Sequence, residues 1–131
     1  LAQRIALTSL VVADYDEAID FFINKLGFQL IADEPIPEEG KRWVVVSPSQ
    51  TAGAQLVLAQ AKNEAERSSI GNQSGGRVTM FLHTDDFWLD HKTYTANGIE
   101  FTETPREEPY GTVAVFKDLY GNLWDLLEPK Q

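Results

Sequence analysis

The chain repeats its own plan, and that repeat limits what it can fold into. Leu10-Val11-Val12-Ala13-Asp14 ends a β-branched run at an aspartate, and Val78 to His83 runs in the same way towards Asp86. Asp14 maps onto Asp86 and Phe22 onto Tyr94 at an offset of 72, whereas Gly27 maps onto Gly98 and Leu30 onto Phe101 at an offset of 71. One residue is lost inside the second helical region. A duplication of this length means two similar supersecondary units, each with one apolar face to bury.

Ile5 to Val12 reads as a strand, and Asp14-Tyr15-Asp16-Glu17 is a helix start of the Asp-x-x-Glu kind. Tyr15, Ala18, Ile19, Phe22 and Leu26 then form one apolar stripe, stopped by Gly27. Phe28 to Ala32, Arg42 to Ser47 and Ala54 to Ala59 read as three further strands, and the acidic, proline-broken stretch from Asp33 to Gly40 reads as a loop. Gln60 to Gly76 is polar and reads as a connection. The order then begins again: a strand over Val78 to His83, a helix from Asp86 to Gly98, and strands over Ile99 to Phe101, Thr112 to Phe116 and Leu123 to Leu127. The expectation is an α+β fold of two tandem β-α-β-β-β modules whose curled mixed sheets form a concave cleft. Within one domain of residues 1–131, module one spans about 1–60, the connection about 61–76 and module two about 77–131.

Between the last two strands lies Asp118-Leu119-Tyr120-Gly121-Asn122, a turn in which Gly121 supplies positive φ and Asp118 can bond its own backbone two residues on. Strand alternation after the turn puts Leu123, Asp125 and Leu127 on one face and Trp124 and Leu126 on the other. Asp125 is thus a carboxylate in apolar company, which calls for a partner or a function.

Composition removes several classes of activity. With no cysteine among 131 residues, thiolate chemistry and zinc–thiolate sites are absent, which fits a reducing cytoplasm. A formal charge of -9 repels phosphate backbones and anionic lipid headgroups, so neither nucleic acid nor membrane is expected as a partner. The apolar runs are too short to span a bilayer, and the amino end shows no secretory pattern. Leu1 in place of Met fits a beginning that has been trimmed.

Together with the duplication, Leu10 to Asp14 leading into Ala18 to Phe22, Leu26-Gly27-Phe28, Gly75-Gly76-Arg77, and Phe116 to Glu128 make the chain resemble the vicinal oxygen chelate superfamily over nearly its whole length. That group includes glyoxalase I, extradiol dioxygenases, fosfomycin resistance enzymes and bleomycin-binding proteins. Its metal-using members place four ligands on inward strand positions, and the resemblance carries these onto Leu7, Gln55, Thr79 and Asp125, with Gln55 as the duplicated partner of Asp125. A hydrocarbon, an amide, a hydroxyl and one carboxylate are a poor donor set for a divalent ion, so no metal or other cofactor is expected.

Strand parity assigns the candidate ligand-binding residues: Ser9, Gln55, Thr79, Phe81, His83 and Asp125 face inward, with Trp43 and Tyr110 as further aromatic walls. Trp43 reads equally as core, and Tyr110, between Pro109 and Gly111, as a turn brace. His83 is either a rim residue at a strand end or, if it approaches Asp125, half of a proton shuttle. His91 reads as helix filler against the sheet. The resulting expectation is a metal-free binder of a small organic ligand, set against a metal-dependent lyase, isomerase or dioxygenase. The acidic stretches Glu34 to Glu39 and Glu103 to Glu108 favour a neutral or cationic ligand. The resemblance also implies a homodimer.

Overall fold

In the computed structural model, which describes residues 2–131 and so leaves Leu1 outside, each half of the chain builds a four-stranded sheet with the same strand order. The division falls between Ile70 and Gly71, and each unit has its own core. The first unit contains β1 (Leu7–Val12), α1 (Tyr15–Asp20), β2 (Gln29–Ile36), β3 (Lys41–Ser47), β4 (Gln55–Gln60) and α2 (Glu64–Ser69). The second contains β5 (Val78–His83), α3 (Phe87–Ala96), β6 (Arg106–Glu108), β7 (Gly111–Lys117) and β8 (Leu123–Pro129). The sheets run β1-β4-β3-β2 and β5-β8-β7-β6, each with one parallel pair formed by its first and last strands and antiparallel pairs elsewhere. This is the expected α+β architecture of tandem β-α-β-β-β modules, with both sheets open.

Both long helices start where the aspartates predict. Asp14 accepts the Glu17 N–H at 2.9 Å and Asp86 the Leu89 N–H at 3.2 Å, each satisfying one donor that the first turn leaves unpaired. Past Asp20 the first helix widens into a π-helical turn over Phe21–Lys25, where the Leu26 N–H bonds the Phe21 carbonyl. A π turn takes up one extra residue per turn. That residue accounts for the change of offset from 72 to 71, because α3 closes as an ordinary helix before Gly98.

On the helix side of the first sheet Leu10, Val12, Val44, Val46 and Leu58 are fully buried with Ala18 and Phe22. In the second unit Phe87, Tyr94, Ala114, Phe116, Trp124 and Leu126 do the same work, with rings of Phe116 and Trp124 at 5.7 Å. Burying each large side chain contributes about 1.5–3 kcal/mol. Arg42 ties the start of α1 to the sheet: it pairs with Asp16 at 3.0 Å and Asp33 at 2.8 Å, and lies 5.1 Å from the Tyr15 ring centre.

Three sequence expectations are corrected. The stretch from Asp33 is no loop at first, since β2 continues to Ile36 and only then gives way to a short 3-10 turn at Pro37–Glu39. As β2 is an edge strand, the missing N–H of Pro35 is tolerated there. The polar connection contains α2, whose start Asn63 accepts the Glu66 N–H at 2.8 Å while Glu66 reaches back to the Lys62 N–H at 3.2 Å. Finally, Ile99 to Phe101 forms no strand but a single bridge from Phe101 to Phe116, and the edge strand is displaced to Arg106–Glu108. None of the described helices is long and apolar enough to cross a membrane.

Candidate functional site

The sheet faces turned away from the helices carry the polar candidates. In the first unit the parallel register sets Leu7 beside Gln55, Ser9 beside Val57 and Val11 beside Ala59. Trp43, 39% exposed, lies two positions from Val45 on the same face of β3 and is not part of the core. A hollow of about 530 Å³ adjoins Gln55, lined by Arg4 to Leu7 and Gln50 to Gln55.

In the second unit Phe81 sits beside Asp125, and Asp125 sits opposite Val115 across β7. Trp124 and Leu126 point the other way and are buried, as alternation requires. Phe81 is 65% exposed. Thr79 lies where the β5 register slips between Val78 and Met80, and its Oγ1 accepts from Ser74 Oγ at 2.6 Å. His83 is exposed beside Leu127, one step along from the Phe81 and Asp125 row. No hydrogen bond or ion pair joins His83 to Asp125 among the described residues. His83 instead borders a hollow of about 550 Å³ at the strand ends with Thr84, Asp85 and Glu128. Glu128 is committed elsewhere, accepting the Phe87 N–H at 2.8 Å at the start of α3. His91, half-buried, packs at a tilt against Phe101 at 4.3 Å and stacks on Phe87 at 5.7 Å, in keeping with a packing role.

The register also revises the duplication. Leu10 pairs with Leu58 and Leu82 with Leu126, so Asp125, partner of Phe81, corresponds to Val57, partner of Ser9. Gln55 is therefore not its counterpart. Either alignment leaves at most one carboxylate in the four positions. Among the described residues no three His, Cys, Asp or Glu side chains form a group able to hold a metal ion. Leu7, Gln55, Thr79 and Asp125 do not fit a divalent cation, since one lacks a donor and two are neutral oxygens.

Two charged residues near Asp125 were not singled out by sequence reasoning. Arg106 Nε donates to Glu103 at 3.0 Å, and its Nη1 lies 3.6 Å from Glu108. Glu103 first, and Tyr110 after it, raise the pKa of Arg106, so Tyr110 too lies on the side of this guanidinium. Burial pushes the Asp125 carboxyl above its usual range, opposed by Arg106 and aided by Glu103, so both charges act on Asp125. Their only sequence signal was the Glu-x-x-Arg spacing in an acidic stretch, which strand displacement brings onto this face. Chemically, the surface offers an aromatic plane, an adjacent carboxyl and a tethered cation, which suits recognition of an organic ring better than bond cleavage.

Comparison with known proteins agrees with this fold. A family model described as the Glyoxalase/Bleomycin resistance protein/Dioxygenase superfamily matches residues 4–126. An uncharacterized protein of Shewanella frigidimarina is 56% identical over 128 residues, spanning 98% of this chain and 95% of its own. Among solved structures, UcmS2 superposes with a TM-score of 0.84 at 27% identity, covering 98% of this chain and 99% of that one. TnmS3, an antibiotic binding protein from Streptomyces sp. CB03234, superposes with a TM-score of 0.78 at 29% identity, covering 98% of each.

Proposed function

Because this chain belongs to the glyoxalase/bleomycin resistance protein/dioxygenase superfamily, we infer that it is a small-molecule binding protein which holds its ligand without a resident metal, by sequestration or presentation. The observation that carries this reading is the pairing of exposed Phe81 with half-buried Asp125 in neighbouring strands. A phenyl ring left in water mid-strand is unfavourable until something covers it, and its face accepts a flat organic group. The carboxyl beside it orients a donor or offsets a positive charge on that ligand. A neighbour described as an antibiotic binding protein supports an organic ligand of antibiotic size.

A net charge of -9 favours neutral or cationic ligands over anions. Thr79, His83 and Tyr110 are the remaining contacts proposed on the second unit, and Ser9, Trp43 and Gln55 those on the first. The metal-dependent enzyme alternative draws no support from the donor set. We also propose a cytoplasmic homodimer, for which light scattering should give twice the chain mass.

The test is a thermal-shift screen with basic aromatic and glycopeptide-like compounds against anionic ones. Basic or neutral compounds should raise the melting temperature of the wild-type protein and not of Phe81→Ala. Stabilisation by anionic compounds alone rejects the reading, and a divalent ion retained near one per chain through purification without chelator favours the enzyme instead.

A further inference from the structure

We propose that Glu103 is a positioning residue for this face: by holding the Arg106 guanidinium at the sheet edge, it keeps the Asp125 carboxylate open to a cationic ligand. The proposal rests on the binding reading above and adds to it the device that sets the charge preference.

Arg106 opens β6 and pairs in register with Val113, two positions along β7 from the Val115 that faces Asp125. Residues two apart on a strand share a face, so Arg106 and Asp125 lie on the same side of the sheet. A long, flexible cation so placed would ordinarily close on the carboxylate as a bidentate pair and leave nothing for a ligand. Here its donors are engaged by other carboxylates, at 3.0 Å to Glu103 and 3.6 Å to Glu108. Two carboxylates thus share one guanidinium while Asp125 adds a third negative group, and the face stays negative. Glu103, in the segment before β6, makes the shorter of the two ion pairs and so competes most strongly with Asp125 for the guanidinium. The displaced edge strand has a use on this view, since a strand beginning at Ile99 would carry Arg106 elsewhere.

Two flat three-ring probes of similar shape separate charge from stacking: proflavine, a cation at neutral pH, and phenazine, which is neutral. Wild-type protein should bind proflavine more tightly than phenazine. Glu103→Gln should weaken proflavine roughly threefold, the scale of one partly exposed ion pair, with phenazine unchanged. Glu103→Gln/Arg106→Gln should restore proflavine binding. A crystal structure of Glu103→Gln should show the guanidinium against Asp125. Equal weakening of both probes, no recovery in the double variant, or a guanidinium that stays on Glu108 overturns the role of Glu103 and leaves the binding reading standing. Failure of both probes to bind wild-type protein overturns that reading at this face, and the proposal with it.

Discussion

The indole N–H of Trp124 donates to Asp118 Oδ2 at 3.1 Å, joining the start of the last turn to the core residue that follows it. The same buried carboxylate accepts the backbone N–H groups of Tyr120 and Asn122, each at 3.0 Å, and the Asn122 amide at 3.0 Å. Four donors therefore depend on one side chain. Asp118→Ala removes the acceptor that they share and should cost about 3 kcal/mol or more, with Asp118→Asn losing less. Urea denaturation of the two variants checks the order.

The turn is also clasped from the side. The Gln73 N–H donates to Asn122 Oδ1 at 3.2 Å, and Gly71, at φ +76°, lies so close that an added Cβ would sit 2.1 Å from the Tyr120 carbonyl oxygen. Gly75 also has positive φ, but open space surrounds it. Gly75→Ala should cost only the backbone strain, about 1–2 kcal/mol, and Gly71→Ala clearly more. Comparing their denaturation midpoints isolates the close contact from the dihedral angle.

Thr8 points a hydroxyl into the interior of the first unit, where Oγ1 is buried without a hydrogen-bond partner. The side chain has nearly the shape of valine, so Thr8→Val removes the unpaired group and leaves the packing intact. It should stabilise the protein by about 1 kcal/mol, read as a rise in melting temperature. A fall would mean that the hydroxyl is satisfied in solution.

Asp125 gives the stability a pH dependence of definite sign. Burial raises its carboxyl pKa in the folded chain, so the folded state holds this proton more tightly than the unfolded one. The resulting stability is fully present below the unfolded carboxylate value, about 4, and is lost as pH rises through the raised folded value. Asp125→Asn should therefore melt above the wild type at neutral pH, with the gap closing on acidification. Scanning calorimetry across that range measures it.

Local chemistry explains what was legible beforehand. Asp14 and Asp86 announce helices because a side-chain oxygen there satisfies backbone donors three residues on, whatever the rest of the chain does. Alternation put Phe81 and Asp125 on one face of their strands, and pairing made them neighbours. Long-range register was not legible. The slip at Thr79 and the shift of the edge strand from Ile99 to Arg106 depend on β7 and β8, and they decide which charges reach Asp125. The helix at Glu64–Ser69 was legible in principle, since Asn63 and Glu66 have capping-box spacing, but no apolar stripe marks it.

The widened turn at Phe21–Lys25 confines a length difference between the two halves to a single coil of backbone. Asp14 caps the helix before that coil and Gly27 turns the chain after it, and β2 then pairs with β3 through a single bulge between Leu30 and Ala32. Trimming one position there should turn the coil into ordinary helix, as in α3, at the expense of resetting the buried Phe21 and Phe22. The first half thus takes up its surplus residue on the helix side of the sheet, away from the opposite face.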